Sequence, residues 1–311
     1  MTKIILDCDP GHDDAVAIML AHASPAIDLL GISVVTGNQT LANTQRNALN
    51  VCQWIGCNAP VYAGCERPLV REKMIAGDIH GSTGLDGPVF PETTKKLEEK
   101  HSVQFIIDTL TASEEPVTLV TTGPMTNVAL ALRLKPAITE KIERIVLMGG
   151  SYTNGNVTPA AEFNILADPE AAHICFTCGR PIYMVGLDVT RKVLCYPEIV
   201  ARMGAIGNRA SALFVAMMGH FCATQKAVFG WEGGPLHDPV TIASLIDPDV
   251  VTFRKMHAEV DHTPGPSYGR TNCDAFDYMK KEKNVYVAVD INAARFWDIV
   301  EEALRSIPDP E

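Results

Sequence analysis

The sequence lacks three features that would direct a protein to nucleic acid or to a membrane. It has no excess of basic residues, because 26 Lys and Arg stand against 37 Asp and Glu, a formal net charge of −11. A surface of that sign disfavours nucleic acid and anionic lipid. No apolar run approaches the ~18 residues of a membrane-spanning helix, and the N-terminus has no basic segment followed by an apolar stretch and a cleavage site. We therefore predict a soluble, cytoplasmic protein that binds neither nucleic acid nor membranes.

The chain also lacks a disulfide framework and a complete zinc-binding pattern. Its nine cysteines are an odd number without regular spacing, which is typical of reduced thiols in a chain of 311 residues. Cys175 and Cys178 have the spacing of zinc ligands, but no second ligand pair accompanies them. We interpret them as the end of a helix packed in the core.

No linker or internal repeat divides the chain. Gly and Pro are spread along it, and 47% of the residues are hydrophobic, which is enough for a sizeable core. Continuous apolar runs, such as residues 4–6, 29–35, 117–120 and 145–148, are separated by helical patterns. Such runs are typical of parallel strands buried on both faces. The sequence therefore predicts a single α/β domain over residues 1–311, with a mostly parallel, Rossmann-like central sheet flanked by helices.

The densest group of chemically active side chains is Asp-Cys-Asp-Pro-Gly-His-Asp-Asp at residues 7–14. It follows the apolar run 4–6 and precedes a helical pattern at 15–20. Pro10 and Gly11 are suited to the sharp turn between them, since proline presets φ and glycine tolerates positive φ. The acids therefore lie at the carboxyl end of a strand and in the first turn of a helix, where open α/β sheets bind ligands.

Helix capping explains only part of this acidic cluster. The helix dipole favours an acid in the first turn by roughly 0.3–1 kcal/mol, which accounts for Asp13 or Asp14 but not for Asp7 and Asp9 at the strand end. Clustered carboxylates raise one another's pKa unless a cation neutralises them. The cluster therefore predicts a site for a hard divalent cation, which prefers oxygen ligands. We interpret His12 as covering the cluster from outside.

Polar residues also follow the other predicted strands. These further candidates are Asn38, Thr122, Asn127, the segment 149–164, and the pair His237 and Asp238. His80 lies in an irregular segment, residues 67–91, and loops of that length are usually functional or disordered. Because a parallel sheet places strand ends along one edge, we expect the candidates to converge on one active-site cleft at the carboxyl ends of the strands.

These motifs, in this order, resemble the nucleoside hydrolases, a calcium-dependent family that cleaves the N-glycosidic bond of ribonucleosides. The matching stretches are residues 7–14, 37–40, 148–150, 161–164 and 237–239. Three further stretches, residues 84–88, 224–225 and 269–271, are most similar to the bacterial pyrimidine-preferring branch.

The resemblance implies hydrolysis of uridine and cytidine to ribose and free base, in nucleoside salvage or catabolism. A broad inosine-uridine specificity is the alternative. It also implies one Ca²⁺ per subunit, a small-molecule ribonucleoside as the partner, and a homotetramer.

The resemblance gives each motif residue a role. Ca²⁺ would be held by the carboxylates of Asp9, Asp14 and Asp238 and by the carbonyl oxygen of Thr122. Asp9 would also take the proton of the attacking water as general base, and Asp7 would support these ligands without touching the metal. The implied ribose-binding residues are Asp13, Asn38, Met148, Asn156, Glu162 and Asn164.

The implied base pocket consists of His80, Gln225, Phe229 and His237. His237 would be the general acid, since the unperturbed pKa of histidine lies near neutrality. His80 is either part of a lid or a solvated loop histidine. Gln225 and Phe229 are four apart on a predicted helix, so we expect them to share a face. Phe229 stands where the branch often carries tyrosine, and Asp78 where asparagine is expected, and both departures bear on base preference.

Two other functions fit parts of the pattern. A haloacid-dehalogenase-type phosphohydrolase also places Asp-x-Asp after an apolar strand, but it needs a phosphate-binding Thr or Ser where residues 10–12 read Pro-Gly-His. A non-catalytic nucleoside-binding protein would not need every candidate catalytic position filled, as they are here.

Overall fold

The central element of the fold is an eight-stranded sheet, seen in the computed structural model, which describes residues 1–309. The strands of the chain are β1 (Thr2–Cys8), β2 (Ile27–Val34), β3 (Val61–Ala63), β4 (Val117–Thr121), β5 (Ile142–Met148), β6 (Ile182–Val185), β7 (Leu194–Cys195), β8 (Gly234–Pro235), β9 (Val251–Met256), β10 (Ala258–Val260), β11 (Thr271–Cys273) and β12 (Val285–Ile291). The sheet has the spatial order β3-β2-β1-β4-β5-β6-β12-β9. Every neighbouring pair in it is parallel except β12 and β9. The predicted fold class is confirmed.

Helices cover both faces of this sheet. They are α1 (His12–Ala23), α2 (Leu41–Ile55), α3 (Gly77–His80), α4 (Ser102–Ala112), α5 (Thr126–Leu134), α6 (Phe163–Ala167), α7 (Pro169–Phe176), α8 (Leu187–Thr190), α9 (Pro197–Gly204), α10 (Arg209–Phe229), α11 (Pro239–Ile246) and α12 (Ala293–Ser306). Helices α1, α2, α10, α11 and α12 share one core cluster, and α4, α5 and α7 share the other. Side chains of a strand alternate between these clusters, with Ile4 and Leu6 in the first and Ile5 in the second. This alternation is why the buried strands read as continuous apolar runs.

The strand order reverses at β1. Its neighbours are β2 on one side and β4, which follows much later in the chain, on the other. Ligands of open α/β sheets bind in the crevice at the carboxyl ends of the strands where the order reverses. Both the acidic stretch after β1 and Thr122 after β4 lie at this point.

The longest helix and the cysteines bear on two further predictions. Within residues 1–309, α10 is the one helix whose length and composition would allow it to cross a membrane. A core helix passes the same test, and Leu213, Met217 and Phe221 of α10 are buried in the core. The nine cysteines are free thiols, with Cys175 buried in α7 and Cys178 just beyond its end.

Candidate active site

The turn between β1 and α1 is closed by Asp14. Its Oδ2 accepts the Gly11 N–H at 3.0 Å, and its Oδ1 accepts the Asp9 N–H at 3.3 Å. An acid at this helix position satisfies backbone N–H groups that the first turn leaves without partners. Asp13 and Asp14 therefore lie in the first turn of α1, as the sequence predicts.

Three buried carboxylates meet at the mouth of this turn. Asp13, Asp14 and Asp238 each place a carboxylate oxygen so that the three atoms lie within 4.8 Å of one another. All three side chains are at most 4% exposed. Asp238 directly precedes α11, so segments that are far apart in the sequence build the cluster together.

The electrostatics of the group suit a cation. Burial raises the pKa of Asp9 and of Asp238 well above the usual range, and the neighbouring aspartates raise it further. Burial, with the charge of Asp14, also raises the pKa of Asp13 to about 7. Asp9 Oδ1 and Asp13 Oδ1 are buried and accept no hydrogen bond from the described residues. Unpaired carboxylate oxygens of this kind are the ligands that Ca²⁺ prefers, so the donor set fits a hard divalent cation.

Asn38 and Thr122 tie the carboxylates to the neighbouring strands. The Asn38 N–H donates to Asp9 Oδ2 at 2.6 Å, and Asn38 Nδ2 donates to Asp14 Oδ2 at 3.0 Å. Thr122 Oγ1 donates to Asp14 Oδ1 at 2.8 Å. These bonds bring together the residues that follow β1, β2 and β4, as their positions at strand ends predict.

Asp9 is enclosed by two glycines that no larger residue could replace without displacement. A Cβ on Gly37 would overlap Asp9 Oδ2, and a Cβ on Gly123 would lie 2.6 Å from Asp9 Oδ1. Ordinary van der Waals contact begins near 3.4 Å for such atoms. The absence of both side chains therefore creates the space in which the Asp9 carboxylate lies.

Asp7 has a different environment from the other acids. Its Oδ1 accepts hydrogen bonds from Ser33 Oγ and from Asn127 Nδ2, the latter at 2.8 Å. Burial raises its pKa to about 7. These contacts hold β1, β2 and α5 together, which agrees with the supporting role proposed for Asp7.

Asn164 and Glu162 organise the ends of β4 and β5. Asn164 Nδ2 donates to the carbonyl of Thr122 at 2.7 Å and to that of Met148 at 3.1 Å. Glu162 caps α6 by accepting the N–H groups of Asn164 and Ile165, and its Oε2 also accepts the Gly150 N–H at 2.9 Å. Three of the predicted ribose-binding residues, Met148, Glu162 and Asn164, are thus in one network.

Asn156 lies on the exposed loop between β5 and α6. Its Oδ1 accepts the Phe163 N–H at 2.9 Å, which places it beside the start of α6. Arg191 Nη2 donates to the Gly155 carbonyl at 3.0 Å and so anchors the same loop. This predicted ribose-binding residue is therefore on a loop that is held at both sides.

The two candidate histidines differ in exposure, since His80 is buried and His237 is half-buried. His237 Nδ1 lies 2.7 Å from Thr190 Oγ1, and burial, together with the charge of Arg191, lowers the pKa of His237 to about 3. The unperturbed pKa used in the sequence argument therefore does not describe His237, because burial disfavours the charged ring. His80 ends α3 and is 6% exposed, so it is not a solvated loop histidine. Burial, with His12 and His237 nearby, lowers the pKa of His80 well below 6.5.

Gln225 and Phe229 have different surroundings. Gln225 is buried, and its Oε1 accepts no hydrogen bond from the residues that the structure describes. Phe229 is the last residue of α10, is 46% exposed, and packs against Trp231 with ring centroids 5.5 Å apart. The helical spacing predicted a common face but not this difference in burial, and the place of Phe229 in the base pocket stays a prediction.

Comparison with known proteins shows which family has this fold and these sequence motifs. The family described as "Inosine-uridine preferring nucleoside hydrolase" matches residues 4–298, nearly the whole chain. The chain belongs to this nucleoside hydrolase family. The resemblance seen in the sequence is confirmed, and the phosphohydrolase and non-catalytic alternatives are set aside.

Relatives of this nucleoside hydrolase match nearly all of its length. The pyrimidine-specific ribonucleoside hydrolase RihB of Escherichia coli O157:H7 is 52% identical over 303 residues, which are 97% of each chain. A purine-preferring ribonucleoside hydrolase from Gardnerella vaginalis has a TM-score of 0.91 and 34% identity, covering 98% of this chain and 99% of its own. The plant nucleoside hydrolase PpNRh1 has the same TM-score and coverage at 30% identity. The protein is therefore a ribonucleoside hydrolase.

Sequence reasoning missed several residues that contact the candidate histidines without belonging to the predicted site. Thr190 contacts His237, and Asp86 accepts a hydrogen bond from His12. His220 stacks on His12. No local pattern marks these residues, because each reaches the site from a distant segment. Residues 84–88, which contain Asp86, resemble the pyrimidine-preferring branch but give no sign of a contact with His12.

Proposed function

We propose that this enzyme is a calcium-dependent hydrolase of pyrimidine ribonucleosides, which converts uridine and cytidine to ribose and free base. The observation that carries the proposal is the buried carboxylate group with its unpartnered oxygens, in a chain 52% identical to a relative described as pyrimidine-specific. Such a group is suited to a cation and to hydroxyl groups of a sugar, and it lies where the sheet order reverses.

Four groups of this chain would hold the cation. They are the carboxylates of Asp9, Asp14 and Asp238 and the carbonyl of Thr122, which retains a second lone pair beside the bond from Asn164. When bound, Ca²⁺ would orient a water, lower its pKa and keep the neighbouring carboxylates ionised. Asp13, whose oxygen also lies in the group, is then left for the sugar.

Asp9 is the residue suited to accept a proton from the water. Its Oδ2 is held by the Asn38 N–H at 2.6 Å, while its Oδ1 has no partner among the described residues. One oxygen is therefore fixed and the other is available. A base held in one orientation at the reacting water acts without further rearrangement.

The ribose-binding residues offer acceptors for hydroxyl groups. The amide nitrogens of Asn38 and Asn164 bond to protein oxygens, and their amide oxygens accept no bond within residues 1–309. Together with Asp13 they would hold the 2′- and 3′-hydroxyls, while Asn156 and Glu162 would hold the 5′-hydroxyl. Hydrogen bonds that strengthen as the ribose becomes oxocarbenium-like lower the barrier to cleavage.

The base pocket supplies the leaving-group contacts. His237, neutral because its pKa is lowered to about 3 by burial, would donate its single ring N–H to the departing base. The unpaired Oε1 of Gln225 is suited to accept an N–H from the base edge. A buried acceptor without a partner is costly, so a ligand donor there adds selectivity.

A broader inosine-uridine specificity is the second candidate. The observation that favours it is Phe229, which carries no hydroxyl and is 46% exposed at the end of α10. A phenyl ring can stack on a purine or a pyrimidine alike, whereas a hydroxyl would add a directional contact.

One assay with a metal control tests the proposed function. The protein is incubated with uridine, cytidine or inosine, and released reducing sugar is measured, with and without prior EGTA treatment and Ca²⁺ restoration. We expect faster release from the pyrimidine nucleosides, loss after chelation and recovery with Ca²⁺. Equal rates with inosine would favour the second candidate, and no ribose from any substrate would refute the reaction.

We further propose that the enzyme is a cytoplasmic homotetramer, as the family resemblance implies. Size-exclusion chromatography with light scattering checks the assembly against multiples of the 33.7 kDa chain mass. A mass of one or two chains would refute the tetramer. Cell fractionation, with enzyme activity followed in each fraction, checks the location.

A further inference from the structure

Beside the proposed base pocket, three histidines and a phenylalanine form a stacked aromatic group. The ring of His12, the first residue of α1, lies 5.5 Å from that of His80 and 5.7 Å from that of His220, centroid to centroid. It also stacks on Phe221 at 5.3 Å. The His12 side chain is fully buried. The proposed catalytic and substrate-binding contacts do not include His12.

The hydrogen bonds of His12 determine where its ring proton lies. His12 Nε2 is 2.8 Å from the carbonyl oxygen of Asp86. A carbonyl only accepts, so Nε2 carries the proton. The His12 ring is fully buried among other aromatic rings, an environment that disfavours the charged form, so the ring is neutral. Its Nδ1 is therefore an acceptor.

This acceptor faces His80. His12 Nδ1 and His80 Nδ1 lie 3.3 Å apart, and such a contact between ring nitrogens needs one proton between them. Since the one ring proton of His12 is on Nε2 and is donated to the Asp86 carbonyl, the proton between the two Nδ1 atoms belongs to His80. The His12 backbone N–H lies 3.5 Å from the same atom, outside the usual range of about 2.7–3.2 Å for N–H hydrogen bonds, so the shorter contact between the two rings is the one that needs the proton.

The Asp86 carbonyl is itself held in place. The Asp86 carboxylate accepts the N–H groups of Ser82 and Thr83, each at 3.0 Å, which closes a tight turn. Gly87 follows with φ of 121° and packs against the Ala216 carbonyl of α10, where a Cβ would lie 2.6 Å from that oxygen. The turn therefore presents the carbonyl to His12 from a fixed position.

His80 lies close to the acidic turn. A Cβ on Gly11 would be 2.6 Å from His80 Nδ1 and 2.9 Å from Asn38 Nδ2, so the ring covers Gly11 next to Asn38. The position of the proton on the His80 ring therefore determines whether His80 donates a hydrogen bond to a substrate beside Gly11 or accepts one.

We propose that His12 is a positioning residue that holds His80 with its proton on Nδ1, so that His80 offers Nε2 to the nucleobase as a hydrogen-bond acceptor. In this state His80 has no proton for the leaving base, and that proton comes from His237. The inference rests on the proposed function, because it assigns the two histidines of the proposed base pocket to different tasks.

Three substitutions of His12 separate its two hydrogen bonds. His12→Asn places an amide oxygen near the Nδ1 position and keeps an acceptor for His80. His12→Gln places an amide nitrogen near the Nε2 position and keeps only the donor to Asp86. His12→Phe keeps the ring stack and neither bond. His220→Phe is the matched control, since it preserves a ring against His12 and touches no bond to His80.

Steady-state kinetics with uridine then test the positioning role. We expect His12→Phe and His12→Gln to lower kcat about tenfold, which is the effect of one lost hydrogen bond, and to change KM by less than about twofold. The kcat of His12→Asn and of the His220→Phe control should stay within about threefold of that of the parent. In a His80→Ala background, His12→Phe should cost nothing more. Independent, multiplying losses would show a merely structural role and overturn the inference.

A second measurement does not depend on turnover. In protein labelled with ¹⁵N-histidine, long-range ¹H–¹⁵N correlation spectra distinguish the two neutral tautomers of a ring, and the His80 signals are those missing from His80→Gln. We expect the Nδ1–H tautomer in the parent and in the His220→Phe control, and its loss in His12→Phe. An Nε2–H tautomer in the parent would overturn the inference even if uridine were cleaved. The expected tautomer in a protein that cleaves no nucleoside would leave the inference standing and refute the proposed function.

Discussion

Aspartates that lie close together in the sequence have different surroundings in the fold. Asp7 is hydrogen-bonded to Ser33 and Asn127, whereas Asp9 has one oxygen with no partner among the described residues. Burial raises the pKa of both. The difference in partners, and not the shared burial, is the reason to propose Asp7 as a supporting acid and Asp9 as a reactive one.

Substitutions of these two aspartates should have unequal effects. Asp9→Ala removes the proposed base and a metal ligand, so we expect kcat to fall by at least ~10²-fold. Asp7→Asn preserves an oxygen for Ser33 and Asn127, and we expect less than about a tenfold loss. Uridine hydrolysis by both variants, with circular dichroism to confirm folding, makes the comparison. Equal losses would contradict the assignment.

The role of His237 should depend on the leaving group. If it donates a hydrogen bond to the departing base, His237→Ala should slow uridine far more than nitrophenyl riboside, whose leaving group needs no proton. For each substrate, the loss is the kcat/KM of the parent divided by that of His237→Ala, and we expect this loss to be about 10²-fold larger for uridine than for nitrophenyl riboside. The same loss with both substrates would argue against the donor role.

Calcium affinity should rise with pH through the neutral range. In the metal-free protein, burial and mutual repulsion raise the pKa of Asp9 and Asp238, and that of Asp13 to about 7. The empty site therefore holds protons that must leave when the cation binds, so higher pH removes the competing protons and lowers Kd. Isothermal titration calorimetry in buffers of different ionisation enthalpy measures this release. A Kd independent of pH between about 6 and 8 would contradict it.

At the scale of elements, the site is made by turns that follow neighbouring strands. The turn after β4 brings Gly123 against Asp9, and the turn after β1 is closed by Asp14. The sequence predicts these turns because strand ends and glycines are local signals. It does not predict that β1 lies between β2 and β4, since that order depends on packing across the whole sheet.

A methyl group at Gly123 should damage the site without unfolding the protein. The Cβ of Gly123→Ala would lie 2.6 Å from Asp9 Oδ1, so the carboxylate must move. We expect calcium affinity to fall by about 10–100-fold, as when a residue supporting a metal ligand is changed. Gly219→Ala is the matched control, because its Cβ would meet nothing within 4 Å on α10. Calcium titration of both variants decides, and equal affinities would refute the steric argument.

At the scale of the whole molecule, two segments more than 200 residues apart in the chain are needed for one site. Sequence motifs predicted Asp9, Asp14 and Asp238 as partners only through family resemblance, because no spacing relates residues so far apart. The structure brings Asp14 and Asp238 within 4.8 Å, together with Asp13. The contact of His12 with Asp86 has no sequence signature at all, since it joins a ring nitrogen to a backbone carbonyl that any residue could supply.

Calcium should therefore stabilise the entire fold. A ligand at roughly a hundred times its Kd adds about 2.7 kcal/mol to the free energy of unfolding, which for a chain of this size raises Tm by about 4 °C. Differential scanning fluorimetry with Ca²⁺ and with EGTA measures the shift, and Asp238→Ala should abolish it. An unchanged Tm in the parent protein at saturating Ca²⁺ would contradict a bound cation.

The placement of Asp238 before α11 has a consequence for how the chain reaches its native state. During synthesis β1 emerges long before β4, its later neighbour, and before the residue that completes the carboxylate cluster. Segments this distant in the chain can contact each other only after the entropic cost of closing the long loop between them has been met. A cation bound between them would act as a long-range cross-link, which would couple unfolding of the N-terminal half to that of the C-terminal half. Acquisition of the proposed ion would then be a late event that marks the completed fold.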